Sequence, residues 1–334
     1  EHARRRRAIV RRSRRLVNNP GMSGLLFDLR SSLRSVRHRP GHALVVVGVL
    51  TLGLSAGLAV LTYINAFYQP FPGVDDRRLV RVFEADDESP YLDLPYLDYR
   101  DYESAEGAFE GLAATQPFYA ASVRHEAMTE VAFLEAVSGT YFSVLGARTS
   151  LGRGLSVEDD RPGADPVAVL SHEWWQRSFG GEPSVLGSTI YLNFRPFTVV
   201  GVASPQFLGT ASSFRPDVWV PFAPFKDRYT GWAARAEDRE IPLVRVYGRV
   251  PREGSAGGVQ AALGVVAQGL DEAFPRKARP RRLHLGRASW IDPTARVSET
   301  PTVRLMMAAA AVFLLLACAN VANLLLSRTA GRRR

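Results

Sequence analysis

Leu305–Ser327 reads LMMAAAAVFLLLACANVANLLLS, 23 residues without a charge. At about 1.5 Å of rise per residue a helix of this length reaches roughly 34 Å, enough to cross a hydrocarbon core about 30 Å thick. Arg304 precedes the run and Arg328 follows it, with Arg332, Arg333 and Arg334 just beyond. The alternative is a buried helix of a soluble protein, but soluble core helices this long usually carry some charge. A second apolar stretch lies near the other end: ALVVVGVLTLGLSAGLAVLTYINAFY, Ala43–Tyr68, with no Asp, Glu, Lys or Arg from Gly41 to Val74. Residues 42–68 and 305–327 are therefore expected to be transmembrane helices, with everything between them held by these two anchors.

The net charge of +9 is unevenly placed. Residues 1–39 carry twelve Arg against Glu1 and Asp28, the tail from Arg328 adds four Arg, and residues 40–327 carry a net −5. Positive charge confined to the flanks of apolar spans follows the positive-inside rule and suits anionic lipid, so membrane lipids rather than nucleic acid are the expected partner. Both termini then lie in the cytoplasm and residues 70–303 on the other side of the membrane. A signal peptide is the rival reading of the first span. Its apolar core and lead are too long, and no A-x-A cleavage site follows, so an uncleaved anchor is expected. Glu1 is not an initiator methionine, and the sequence from Met22 reads as an alternative start.

Residues 1–22 are Arg-rich and turn-like, and disorder is expected there. In residues 23–39, Leu25, Leu26, Leu29, Leu33 and Val36 recur at helical spacing with Arg30, Arg34 and Arg37 largely between them. That pattern predicts an amphipathic interfacial helix; an ordinary helix packed on protein is the alternative. Residues 328–334 form a basic tail. Within the spans, Gly53 and Gly57 make a GxxxG pair, and Asn65, Asn320 and Asn323 are polar in apolar surroundings. These five residues are the candidate helix-packing positions, since small residues let helices approach closely and amides hydrogen-bond across them.

Residues 70–303 are too long for a connector. Short apolar, β-branched runs at Leu79–Phe83, Val131–Val137, Val167–Leu170, Thr189–Leu192, Phe197–Val202, Val218–Val220 and Leu243–Val250 predict strands. Helices are predicted at Tyr96–Ser104, Tyr141–Leu145, His172–Phe179 and Val259–Phe274. Together they predict an α+β extracytoplasmic domain inserted between two transmembrane α-helices.

No catalytic, cofactor-binding or metal residue stands out. Lys226 and Lys277, the only two lysines, sit in APFKDRY and PRKAR, neither of which is a phosphate-binding loop. HExxH, CxxC and GxSxG do not occur, and Cys318 is the single cysteine. Asp86-Asp87-Glu88 and Glu158-Asp159-Asp160 lack the alternating ligands of a calcium loop and read as solvated loops. In YLDLPYLDYRDY, Tyr91–Tyr102, a helix packing its Tyr face on the domain is favoured over an aromatic–acidic binding surface.

LLLACANVANLLLSR (Leu314–Arg328) resembles the second transmembrane helix of MacB/FtsX-type ABC transporter permeases. DLRSSLRSVRHRPGHALVVVGVLTLGLSAGLAVLTYINAF is similar to the amphipathic helix and first span of that family. RPFTVVGVASPQFLG, VAVLSHEWWQRSFGG and SGTYFSVLGARTSLGRGLSVEDDRPGADPVAVL resemble its extracytoplasmic core domain. The likeness covers about residues 23–334 and is nearest to the duplicated orphan permeases, which carry no ATPase in the same chain.

The resemblance implies a non-catalytic permease subunit of the bacterial inner membrane, with residues 70–303 periplasmic. It implies a cytoplasmic ABC ATPase as partner, a second permease copy or half, and a periplasmic adaptor or substrate. Family members continue with further spans and an ATPase-contacting segment, whereas this sequence stops at Arg334, after the second expected span. The alternative function is a two-span, membrane-anchored sensor or interaction domain.

Overall fold

The computed structural model describes residues 40–66, residues 69–289 with short gaps at 106, 126–127, 212–213, 227–228 and 277–279, and helical positions between 304 and 322. The segments read as 1–22, 23–39 and 328–334 lie outside the described residues, as do Asn320 and Asn323. The chain divides into two compact units, Glu1–Thr62 with Pro301–Arg334, and Tyr63–Thr300.

In the first unit, α1 (Pro40–Ala66) is 27 residues of helix without an acidic or basic end. At about 100° per residue, exposed Leu44, Val47, Leu52, Leu54, Leu58 and Leu61 fall on one half of its circumference. Gly53, buried, and Gly57, half-buried, fall on the other half. Asn65 is exposed. The second apolar segment is helical at 304–309 and at described positions up to 322, where Leu305, Met307 and Leu315 are exposed. Among the described residues no helix is long and apolar enough to cross a membrane.

The second unit is α+β. Its sheet runs β10-β1-β9-β2-β3-β8-β5-β7-β4, with β6 joining β2 to β7. Here β1 is Leu79–Ala85, β2 Gly111–His125, β3 Met128–Val137, β4 Thr149–Gly152 and β5 Val167–Leu170. The remaining strands are β6 Thr189–Leu192, β7 Arg195–Ala203, β8 Val218–Pro221, β9 Arg245–Arg249 and β10 Arg282–Arg287. Two β-α-β units interleave at one end of this sheet. The first is β1, α2 (Tyr96–Ser104) and β2; the second is β9, α7 (Ala256–Ala273) and β10. Their strands pair antiparallel throughout, in the order β10-β1-β9-β2, which is the split β-α-β plait.

Everything between β2 and β9 is an insert into that plait. Its strands form a ring: β2 pairs β3, β3 pairs β8, β8 pairs β5, β5 pairs β7, β7 pairs β6, and β6 returns to β2 through Val123↔Leu192 and Arg124↔Tyr191. The 15-residue β2 belongs to both parts. Its first five residues pair β9 in the plait, and its far end pairs β6 in the ring.

Local chemistry explains the helices. In α2, Tyr96, Tyr99 and Tyr102 recur every three residues and are buried, so the packing reading of the tyrosine face holds. Helix α4 (His172–Phe179) is capped by Ser171, whose Oγ accepts from the Trp174 N–H at 3.1 Å, and ends on left-handed Gly180. In α7, Ser255 caps the start and Val259, Leu263, Ala267 and Leu270 form the buried stripe. Short helix α3 (Tyr141–Leu145) buries Tyr141, Phe142, Val144 and Leu145 in a separate cluster with Phe71, Phe207, Trp219 and Tyr247. Helices α5 (Phe222–Lys226) and α6 (Thr230–Ala236) close the ring with stacked Phe222 and Trp232.

Strand β2 escapes the sequence reading because its register jumps between Gln116 and Tyr119, at Pro117. Proline has no N–H to give a ladder, and a bulge is where a strand tolerates it.

Candidate functional site

Two buried constructions, one in the plait and one in the insert, are built from carboxylates. The first centres on Asp98, in the first turn of α2, whose side chain is 1 % exposed. Three guanidinium groups converge on it. Arg281 donates from Nε at 2.7 Å and Arg239 from Nη1 at 2.6 Å, and Arg276 also donates to it. Arg276 bonds Glu84 of β1 as well, Arg281 bonds Asp271 of α7 at 2.6 Å, and Arg239 bonds Asp101 at 2.7 Å. Burial would raise the Asp98 carboxyl, but hydrogen bonds from Arg281 and Arg239 and the charge of Arg276 outweigh it and hold the group below the usual carboxylate range. One aspartate thus ties both plait helices, β1 and the segment returning from the insert.

The second construction lies inside the insert, at the corner where it meets β2 and α2 of the plait. Asp160 ends a single 3₁₀ turn, Val157–Asp160, and its side chain faces inward. Its Oδ1 accepts from the Ala223 N–H at 2.7 Å, and its Oδ2 accepts from the Gly139 N–H at 3.2 Å. The carboxylate therefore pins the start of the α3 approach to the start of α5. Burial pushes its pKa up to about 6 despite those two hydrogen bonds. Gly139 must be glycine here, because a Cβ would sit 2.2 Å from the Ser156 carbonyl oxygen. Thr140 Oγ1 donates to the Leu112 carbonyl of β2 at 2.7 Å, which secures the same corner to the plait. A cavity of about 210 Å³ lies against it, lined by Arg100 and Glu103 of α2 and by Thr140, Asp160 and Arg161.

The acidic run Glu158-Asp159-Asp160 therefore departs from the solvated-loop expectation. Glu158 is exposed, but Asp159 and Asp160 are buried. Asp159 accepts from Arg153 at 2.6 and 2.9 Å and from the Ser156 N–H at 2.7 Å. Asp86-Asp87-Glu88 does form a surface turn, in which Asp86 Oδ1 accepts from the N–H groups of Glu88 and Ser89. Another buried carboxyl, Glu135, accepts from Thr115 Oγ1 at 2.5 Å and Trp219 Nε1 at 2.7 Å, and burial raises its pKa against those bonds.

Of the five candidate helix-packing residues, Gly53 and Gly57 share the less exposed side of α1, Asn65 is exposed on the other, and Asn320 and Asn323 lie outside the described residues. No group of His, Cys, Asp and Glu suited to a metal ion occurs among the described residues. The Asp98 and Asp160 constructions were not legible as sites, because Asp98 meets Arg281 across 183 positions and Asp160 meets Ala223 across 63. The carboxylates here position structure, with no nucleophile and base set against each other.

Comparison with known proteins places this architecture. The family model for the MacB-like periplasmic core domain matches residues 43–286. A probable syringafactin export ATP-binding/permease protein of Pseudomonas syringae pv. syringae is 31% identical over 109 residues, covering 33% of this chain and 16% of that protein. The macrolide export ATP-binding/permease protein MacB of Aggregatibacter actinomycetemcomitans is 34% identical over 98 residues, covering 29% and 15%. A MacB of Burkholderia pseudomallei is 23% identical over 194 residues, covering 56% and 28%. The chain thus spans less than a third of the length of these relatives. Among solved structures, the periplasmic region of MacB from Actinobacillus actinomycetemcomitans superposes with a TM-score of 0.47 at 16% identity, covering 68% of this chain and 94% of that one. The extracellular domain of the noncanonic ABC-type transporter YknZ from Gram-positive bacteria gives 0.43 at 16% identity, covering 62% and 99%. Because one family model matches well over half of its length, the chain belongs to the MacB-like periplasmic core domain family of ABC transporter permeases.

Proposed function

We propose that this chain is the front part of a non-catalytic permease subunit of the bacterial inner membrane, its second unit exposed on the periplasmic side. A cytoplasmic ATPase on a separate chain drives its motion for export. The observation that carries the reading is the continuous family match over residues 43–286, which begins inside the apolar α1 and ends in the last strand of the plait. Three further features support it. Exposed leucines cover half of α1, a surface that water disfavours and lipid accepts. Neither lysine lies in a phosphate-binding loop, which agrees with a permease segment. The relatives are named as export ATP-binding/permease proteins, which supports an ABC export permease.

In this reading α1 and the 305–327 segment carry motion from the cytoplasm to the plait. The Asp98 cluster makes the plait move as one body, and the shared strand β2, held at the Thr140–Leu112 bond, passes the motion to the ring. A second copy of the permease completes the assembly. The test is co-purification of tagged full-length protein in mild detergent from its native cells. The expected result is a co-purifying chain with a GxxxxGK[ST] loop, released when nucleotide-binding mutants of that chain are substituted. Recovery of the permease without any such ATPase contradicts the proposal.

A further inference from the structure

We propose that the open cleft between the adjoining ends of β2 and β3 and helix α4 binds an organic cation with an apolar body. The cleft holds about 480 Å³, within the range of roughly 300–1,000 Å³ typical of small-molecule sites. It lies in the ring, away from the Asp98 cluster and the Asp160 corner. Its lining includes His125, Met128, Glu130, Trp174, Phe179 and Glu182, with serine hydroxyls at its edge and no Lys or Arg. That lack stands out in a chain with 42 basic residues.

The walls divide by chemistry. Half-buried Phe179 and His125, 4.6 Å apart, form the accessible aromatic wall, and buried Trp174 backs Phe179 edge to face at 5.1 Å. Exposed Met128 extends it. Such a wall takes an apolar body, and aromatic faces attract a cation. Glu130 is held in place by the Trp174 Nε1–H, which donates to its Oε1 at 3.0 Å. That bond uses one acceptor of a carboxylate that can take several. No described cation forms an ion pair with Glu130. A half-buried carboxylate held by a single indole N–H is a ready counter-ion for an ammonium or phosphonium group. Exposed Glu182 adds a second negative charge. An anion of the same shape meets repulsion from both.

The proposal concerns the domain itself and holds whether or not the chain serves transport. It is tested by equilibrium dialysis of the full chain in lipid nanodiscs. Tetraphenylphosphonium serves as the probe, and tetraphenylborate as its oppositely charged isostere. Wild type is expected to bind the cation saturably above the empty-nanodisc background and to leave the borate at background. Glu130→Gln keeps the acceptor for Trp174 and should weaken the cation by about tenfold or more. Met128→Lys, at an exposed edge position, should weaken it as well without disturbing the core. Equal affinity of wild type and both variants, or equal binding of the two probes, overturns the proposal.

Discussion

Asp98 is the buried carboxylate on which three arginines of the Tyr63–Thr300 unit converge. Three arginines share its carboxylate, so its removal leaves buried positive charge without its main partner. Breaking one side of a buried ion pair typically costs about 3–5 kcal/mol. Asp98→Asn is therefore expected to lower the urea midpoint of the Tyr63–Thr300 unit with an unchanged slope; an unaltered midpoint would show that the cluster is not stabilising. The sequence made only half of this residue's setting readable. The tyrosines at positions 96, 99 and 102 announce a buried helical face by their spacing. Asp98, on the same helix, looks like any first-turn acid, because its partners Arg276 and Arg281 sit in a basic loop near the far end of the domain.

Among the elements, the 3₁₀ turn that carries Asp160 holds a corner of the insert together, and its chemistry gives a pH dependence of definite sign. In the folded chain the carboxyl titrates near 6; in the unfolded chain it titrates near the ordinary value of about 3.9. Between these values the folded state binds more protons, so stability falls as pH rises through this window and levels off above it. The melting temperature of wild type should therefore drop from pH 5 to pH 7 relative to Asp160→Asn, which has no proton to lose there. Parallel pH profiles for the two proteins would show that Asp160 does not titrate in this window. Element boundaries were legible where residue chemistry is local. Helices α2, α3 and α4 and strands β5 and β6 fall on the segments that their apolar spacing and caps indicate. Three strands escaped for physical reasons. Strand β2 is alanine-rich and broken by a bulge at Pro117, four-residue β4 is flanked by glycine, and β10 alternates with arginine and glycine. The burial of Asp159 and Asp160 was hidden because a run of three acids looks solvated until its hydrogen-bond partners are known.

For the whole molecule, the split plait with a ring inserted between β2 and β9 could not be read from strand order along the chain. It depends on β2 pairing with β3, β6 and β9 at once. In the sequence this unit lies between two uncharged stretches, 23 residues at one end and Gly41 to Val74 at the other. Under the proposed function the folded unit stands outside the inner membrane while both termini remain inside. The most direct measurement is limited proteolysis of spheroplasts expressing the full-length protein with a distinct tag at each terminus. The expected result is cleavage within residues 70–303 by externally added protease, with both tags protected until the membrane is permeabilised. Protection of residues 70–303 with loss of the terminal tags would contradict it.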